Sequence, residues 1–305
     1  MTGFAGMLCS AAAAVDVPLS GTATRVTGWL CVEQPGAWGR DVIGDEVLGQ
    51  EITAELAART SAAGVRPTLI RRPGRTEFTG ARTVLIASSR QQGAWCERLE
   101  ITDLGQLLDL DLDLLNGPPP GIGAPVRDPL ILVCAHGKRD QCCALFGRPI
   151  AANLAADYPD QVWECSHTGG HRFAPAMVLL PSGLTYGRVD TVAAIAAVEA
   201  VRRDAVSLSG LRGRSAYRPI EQVAELAVRE QVSAGIDDLT VHLESDSTAT
   251  DPTLAGTAVV AHRDGRRWRV TARTVGFPPR QASCGAAPKP VTAIVADQIQ
   301  PLTAG

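Results

Sequence analysis

Apolar runs bounded by Gly, Pro and Asn divide the chain into two stretches that follow the same order of elements. In the first, residues 25–33 are strand-like and end on the turn signal Glu33-Gln-Pro-Gly-Ala-Trp-Gly. Val47, Leu48, Ile52, Leu56 and Ala57 recur at helical spacing over 45–63, with Gly64 placed to cap the end. Strands are predicted over 67–71, 82–88 and 95–101, followed by a capped helix opening at Asp103. The run Asn116-Gly-Pro-Pro-Pro-Gly-Ile-Gly has the composition of a linker and marks a domain boundary. The second stretch predicts a strand over 129–134, a helix over 142–156 and strands over 161–165, 176–180 and 184–189. The last two are joined by Pro181-Ser-Gly, and a helix over 190–203 follows, with Asp190 as its N-cap.

Both stretches read β-α-β-β-β-α, a repeat visible in element order more than in letters. That order fits a thioredoxin-like sandwich of helices against a mixed sheet. The expected fold class is therefore α/β, with two thioredoxin-like units in tandem over 20–118 and 126–235. A C-terminal extension over 236–305 is expected to carry a hairpin over 257–274, turning at Asp264-Gly265. Residues 1–22 read as irregular.

Composition narrows the function. At 305 residues, 45% hydrophobic and 20% charged, the chain has the make-up of a soluble protein long enough for two domains. A net charge of −3 and a pI near 6.0 argue against a nucleic-acid partner. No apolar run reaches the roughly 18–20 residues that cross a bilayer. The apolar segment 4–17 has no Lys or Arg before it, unlike a secretory signal, so a cytoplasmic location without membrane association is expected. Four of the eight cysteines fall between Cys134 and Cys165. In a large chain without an export signal, that clustering points to metal or redox chemistry and away from disulfides. Cys9, Cys31, Cys96 and Cys284 are expected as small buried apolar residues.

The chemistry concentrates in Cys134-Ala-His-Gly-Lys-Arg-Asp-Gln-Cys-Cys and Cys165-Ser-His-Thr-Gly-Gly-His, each delivered by an apolar strand, and the second of the two units is the one that carries them. Cys134, Cys143, His167 and His171 are the candidate ligands, thiolate and imidazole being donors for Zn²⁺ and for iron–sulfur centres. Cys142 and Cys143 point apart in any regular structure, and Cys143 is the one assigned. The H-x3-H spacing favours a Cys2His2 zinc site, whereas the eight residues between Cys134 and Cys143 exceed the two to four usual for zinc. Gly169-Gly170 would let backbone N–H groups approach a wide centre. His136 is a supporting group or an alternative ligand. Lys138, Arg139, Arg148 and Arg172 form a basic rim beside Asp140, from which Arg139 or Arg172 would donate to the centre or dock an acidic partner.

The runs Leu132-Val-Cys-Ala-His-Gly-Lys-Arg-Asp-Gln-Cys-Cys-Ala-Leu-Phe-Gly-Arg-Pro and Val162-Trp-Glu-Cys-Ser-His-Thr-Gly-Gly-His-Arg-Phe-Ala-Pro resemble the sucrase/ferredoxin-like family. Tyr186-Gly-Arg-Val, Leu211-Arg-Gly-Arg-Ser, Ile70-Arg-Arg-Pro-Gly-Arg and the turn at Glu33 extend the resemblance over most of 20–235. It implies a thioredoxin-like ferredoxin with a [2Fe–2S] cluster on Cys134, Cys143, His167 and His171, although many relatives carry Asp where His171 stands. The implied function is non-enzymatic electron transfer with a redox partner, a reductase or an oxygenase. Two neutral imidazoles in place of thiolates would leave the oxidised centre uncharged, so its potential should lie well above the about −400 mV of plant-type ferredoxins. Imidazole N–H groups that reach water would couple proton uptake to reduction. The alternatives are a redox or iron–sulfur sensor and a structural Cys2His2 zinc protein. Thiol–disulfide exchange is disfavoured because no C-x-x-C precedes a helix. No carboxylate pair supports the sucrase half of the family name.

Overall fold

The structure, a computed structural model, describes residues 4, 6–74, 78, 80–244 and 254–303. Ala5 of the N-terminal segment, Arg75 of the Ile70-Arg-Arg-Pro-Gly-Arg run, and residues 245–253 and 304–305 of the C-terminal extension lie outside the described residues. The chain gathers into two compact units. One comprises Val26–Thr168 with Pro175–Gly183; the other comprises Met1–Arg25, Gly169–Ala174 and Leu184–Gly305.

The first unit is built on a mixed sheet. Its strands are β1 (Gly28–Glu33), β2 (Val65–Arg71), β3 (Arg82–Ser88), β4 (Trp95–Ile101), β5 (Ala124–Pro125), β6 (Leu130–Cys134), β7 (Val162–Cys165) and β8 (Ala176–Leu180). Their spatial order is β8-β6-β7-β2-β1-β3-β4-β5. Residues of β6 and β8 are buried throughout, as the unbroken apolar runs require of strands covered on both faces. The repeat seen in the sequence recurs in the ladders. β1 runs parallel to β2 and antiparallel to β3, and β6 runs parallel to β7 and antiparallel to β8. The two copies meet where β2 pairs antiparallel with β7, Ile70 opposite Cys165 and Arg71 opposite Glu164.

Local chemistry explains where expectation and structure part. The helix Gln50–Ala63 ends on Gly64, whose φ of 66° is the left-handed cap expected of it. The helix expected from Asp103 is two short 3-10 turns, Leu104–Asp109 and Leu112–Asn116. Asp103 and Gln106 form a capping box, and the Asp111 carboxylate takes the Asp113 N–H, so local side-chain bonds restart the chain instead of letting one helix run on. The Pro/Gly run expected as a linker lies inside this unit. There the N–H groups of Gly121, Ile122 and Gly123 donate to the buried Glu97 carboxylate at 2.8, 3.0 and 2.9 Å. A buried charge with three donors is satisfied, and the loop is tied to β4. An apolar cluster including Leu30, Leu56, Leu69, Ile86, Leu107 and Leu115 fills the space under the helix.

In the second unit, β9 (Leu184–Gly187) pairs antiparallel with β10 (Leu211–Arg214). The strand at 184–189 and the helix expected over 190–203 (observed as Thr191–Arg202, with the Asp190 carboxylate accepting the Ala193 N–H at 2.8 Å) thus belong to this unit. The hairpin expected at Asp264-Gly265 is present but is the middle of a larger antiparallel sheet. Its strands are β11 (Leu239–Glu244), β12 (Leu254–His262), β13 (Arg267–Arg280) and β14 (Lys289–Leu302). Helix Pro219–Arg229 packs on it and buries the Glu225–Arg229 ion pair at 2.9 Å. Residues 1–22 are not wholly irregular. Cys9–Ala14 is a short helix whose terminal carbonyls are taken by Arg280, on Ala12, and Arg188, on Ala13. No helix among the described residues is long and apolar enough to cross a membrane.

Candidate metal centre

Two parallel strands and one helix start build the site. Cys134 ends β6 and Cys165 ends β7, opposite one another in register. His167 follows two residues past β7. The chain leaves Cys134, turns, and enters the helix Gln141–Asp157, whose N-cap Asp140 accepts the Cys142 N–H at 2.8 Å. That cap brings Cys143 back in the first helical turn, where the positive end of the helix dipole favours a thiolate. Gly147 lets the helix lie against the end of β6: a Cβ there would run into the Cys134 carbonyl oxygen.

The donor atoms of Cys134, Cys143 and His167 all lie within 4.8 Å of one another. Hydrogen bonding from Cys143, and then from His167 and the Thr168 N–H, holds the Cys134 thiol well below its ordinary range against the opposing effect of burial. Cys143 is pushed up, chiefly because it donates to Cys134 and then by burial. The arrangement is a buried pair of sulfurs beside an imidazole, which is a metal-binding set once both sulfurs ionise. His171 is buried at the start of the short turn His171–Phe173, in the other compact unit. Gly169 and Gly170 have φ of 102° and 76°, and a Cβ on Gly170 would sit 2.7 Å from the Phe173 ring and 2.8 Å from the Arg212 guanidinium. Close packing within that unit accounts for the glycine there.

The neighbouring candidates sort themselves by their partners. His136 offers no ring nitrogen to a metal in this arrangement. Its Nδ1 accepts the His167 backbone N–H at 3.2 Å, and its Nε2 hydrogen bonds the Gly39 carbonyl at 2.6 Å. It is a supporting group, set edge-on to Trp38 with ring centroids 5.8 Å apart. Trp38 in turn donates to the Gln34 carbonyl at 2.8 Å, so the turn beginning at Glu33 braces the residue that positions His167. Cys165 is fully buried and burial pushes its thiol far up, which disfavours it as a thiolate ligand. Arg139 lies 3.8 Å from Asp41 at the surface. Arg172 is in the other unit, its guanidinium 5.0 Å from the centre of the Phe173 ring. Sequence reasoning missed Arg66 and Gly39. Arg66, on β2, donates to the His167 carbonyl at 2.6 Å, a contact that depends on β2 and β7 being neighbours and leaves no trace in local spacing.

A family model described as sucrase/ferredoxin-like matches residues 19–213 of the chain. No curated protein and no solved structure matches.

Proposed function

This chain belongs to the sucrase/ferredoxin-like family, and on that premise we propose that it is a one-electron carrier with a [2Fe–2S] cluster. Cys134, Cys143 and His167 would hold the cluster; His171, the fourth donor implied by the resemblance, belongs to the other compact unit. The observation that carries the reading is the convergence of two sulfurs and an imidazole, beside a thiol already driven toward its ionised form. The proposed frame is a pair of thioredoxin-like units, for which the repeated ladder of a parallel and an antiparallel neighbour about β1 and about β6 is the support. The cluster would supply one-electron storage. The chain's own part is to bury the donors, fix His167 through His136 and Arg66, and keep water from the sulfurs. A reductase or an oxygenase is the proposed partner class, and the cytoplasm the proposed compartment.

One observation favours a second reading. Donor atoms within 4.8 Å of one another suit a single tetrahedral ion, whose ligand atoms stand about 3.8 Å apart for zinc–sulfur bonds. A structural zinc centre is therefore the competitor, and an iron–sulfur sensor would use the same donors as the carrier. Anaerobic purification, an absorption spectrum and an iron and sulfide count separate them. Red-brown protein with two irons and two sulfides per chain is expected; colourless protein with one zinc would end the cluster reading. Fast, reversible reduction with the cluster retained is expected of a carrier and not of a sensor.

The ligand set also fixes a sign. Because imidazole ligands bind protons more readily once the centre is reduced, the midpoint potential should fall as pH rises. A protein-film titration between neutral and alkaline pH reads this directly, and a flat profile would count against imidazole ligands in contact with water.

A further inference from the structure

Arg66, a basic side chain of the first copy, reaches the donor residue His167 of the second. It stands on β2, partly buried, and its only hydrogen bond among the described residues runs to the His167 carbonyl at 2.6 Å. No carboxylate among the described residues pairs with it. Burial works against its charged form, and of the sulfurs that act on it (Cys165, Cys134 and Cys31) only that of Cys134 tends to ionise and so to favour the cation. The other arginines nearby are already matched. Arg71 is paired with Glu164 at 2.7 Å, Arg139 lies near Asp41, and Arg72 is stacked on Trp163 with its hydrogen bonds spent on the carbonyls of Pro159, Asp160 and Val162. A sheltered cation without a carboxylate needs another counter-charge, or its desolvation goes uncompensated.

We propose that Arg66 is the counter-ion of the metal centre: its guanidinium, anchored on the backbone carbonyl of the ligand His167, stabilises the ionised sulfurs and, where the centre is redox-active, its reduced state. This rests on the Cys134–Cys143–His167 site but not on the kind of metal it holds. Two thiolates cancel the charge of one divalent ion, or of an oxidised [2Fe–2S] core, so Arg66 leaves the oxidised pocket one positive charge in excess. In a redox-active centre such as a [2Fe–2S] cluster that excess would favour uptake of one electron, which would bring the pocket to neutrality. Through its hydrogen bond, Arg66 also fixes the direction in which the peptide after Ser166 turns, and with it the His167 ring.

The test uses the full chain with Arg66→Gln and Arg66→Lys. Metal-free protein titrated with Co²⁺, followed by the sulfur-to-cobalt charge-transfer band, should bind about ten- to a hundredfold more weakly in Arg66→Gln, the usual cost of losing a group that supports a ligand. Arg66→Lys, which keeps the charge and a donor, should recover most of that affinity. In cluster-loaded protein poised with dithionite, Arg66→Gln should show a lowered midpoint potential and Arg66→Lys one close to the wild type. Unchanged affinity and potential in Arg66→Gln overturn the proposal, as does a Lys variant no better than the Gln variant. If Arg66→Gln loses its native circular-dichroism spectrum, Arg66→Lys decides alone, and a tenfold loss of Co²⁺ affinity there overturns the counter-ion role. An iron-free, colourless wild type would sink the cluster reading while leaving the Co²⁺ titration to decide on Arg66.

Discussion

Cys134→Ser should strip the chain of its metal while leaving it folded. The donor set centres on this sulfur: it accepts from Cys143, His167 and the Thr168 N–H, and it is the one thiol of the group held below its ordinary range. Binding at a four-ligand thiolate site is worth about 10–16 kcal/mol, so an even share per ligand is about 3 kcal/mol, or about two orders of magnitude in affinity. The buried hydroxyl would cost about 1–3 kcal/mol of stability, which a protein of this size tolerates. The measurement is the Co²⁺ or iron content of the variant against Cys142→Ser, whose side chain is not part of the Cys134–Cys143–His167 group. Loss of metal in Cys134→Ser with retention in Cys142→Ser is the expected pair of results. Metal lost from both variants would show that the wrong member of the Cys142–Cys143 dipeptide has been assigned, and metal kept in Cys134→Ser would remove Cys134 from the ligand set.

Gly147→Ala should destabilise the protein even though it replaces the poorer helix former with the best one. Inside an exposed helix the change would gain about 1 kcal/mol. Here the added Cβ meets the Cys134 carbonyl oxygen and comes within 3.1 Å of the carbonyl carbon, backbone atoms that no rotamer change can move aside. The helix must then shift away from β6, which carries Cys143 away from Cys134. Overpacking of this kind costs about 1–3 kcal/mol, and more where backbone meets backbone. A net loss of about 2 kcal/mol in urea unfolding, together with weaker Co²⁺ binding, is the expected outcome. A variant more stable than the wild type would show that the contact at Cys134 is not tight.

Strands were legible in the letters where an apolar run, or in β4 a partly alternating one, lay between turn residues. The spans of β3, β4 and β8 fall where Arg82 to Ser88, Trp95 to Ile101 and Ala176 to Leu180 place them. The caps at Gly64, Asp103 and Asp190 were readable because each acts within a few residues of itself. What was hidden depends on distant partners. The Asn116-to-Gly123 run has the letters of a linker, and only the Glu97 carboxylate from β4 turns it into a fixed loop. β14 contains Pro290 and Pro301 and alternates only loosely, as a strand with one face in water does, so the tail gave no clear period. The helix Cys9–Ala14 owes its end to Arg188 and Arg280, far along the chain. At the site, Cys134, Cys143 and His167 stood out as donors at strand ends and a helix start. His136 was open between a supporting group and an alternative ligand, which only its bond to Gly39 decides, and Arg66 left no signal because its role comes from β2 in the other copy.

The pairing of β2 with β7 has a consequence for solubility. In a lone copy each of these strands would be a rim strand with a bare row of amide and carbonyl groups, the kind of margin on which foreign chains add and aggregates grow. Joined through Ile70 opposite Cys165 and Arg71 opposite Glu164, each copy seals the other's open side. The pairing of the two ladders here acts as mutual insulation, and it places the donor-bearing strand ends in the interior of a sheet, away from its vulnerable margins.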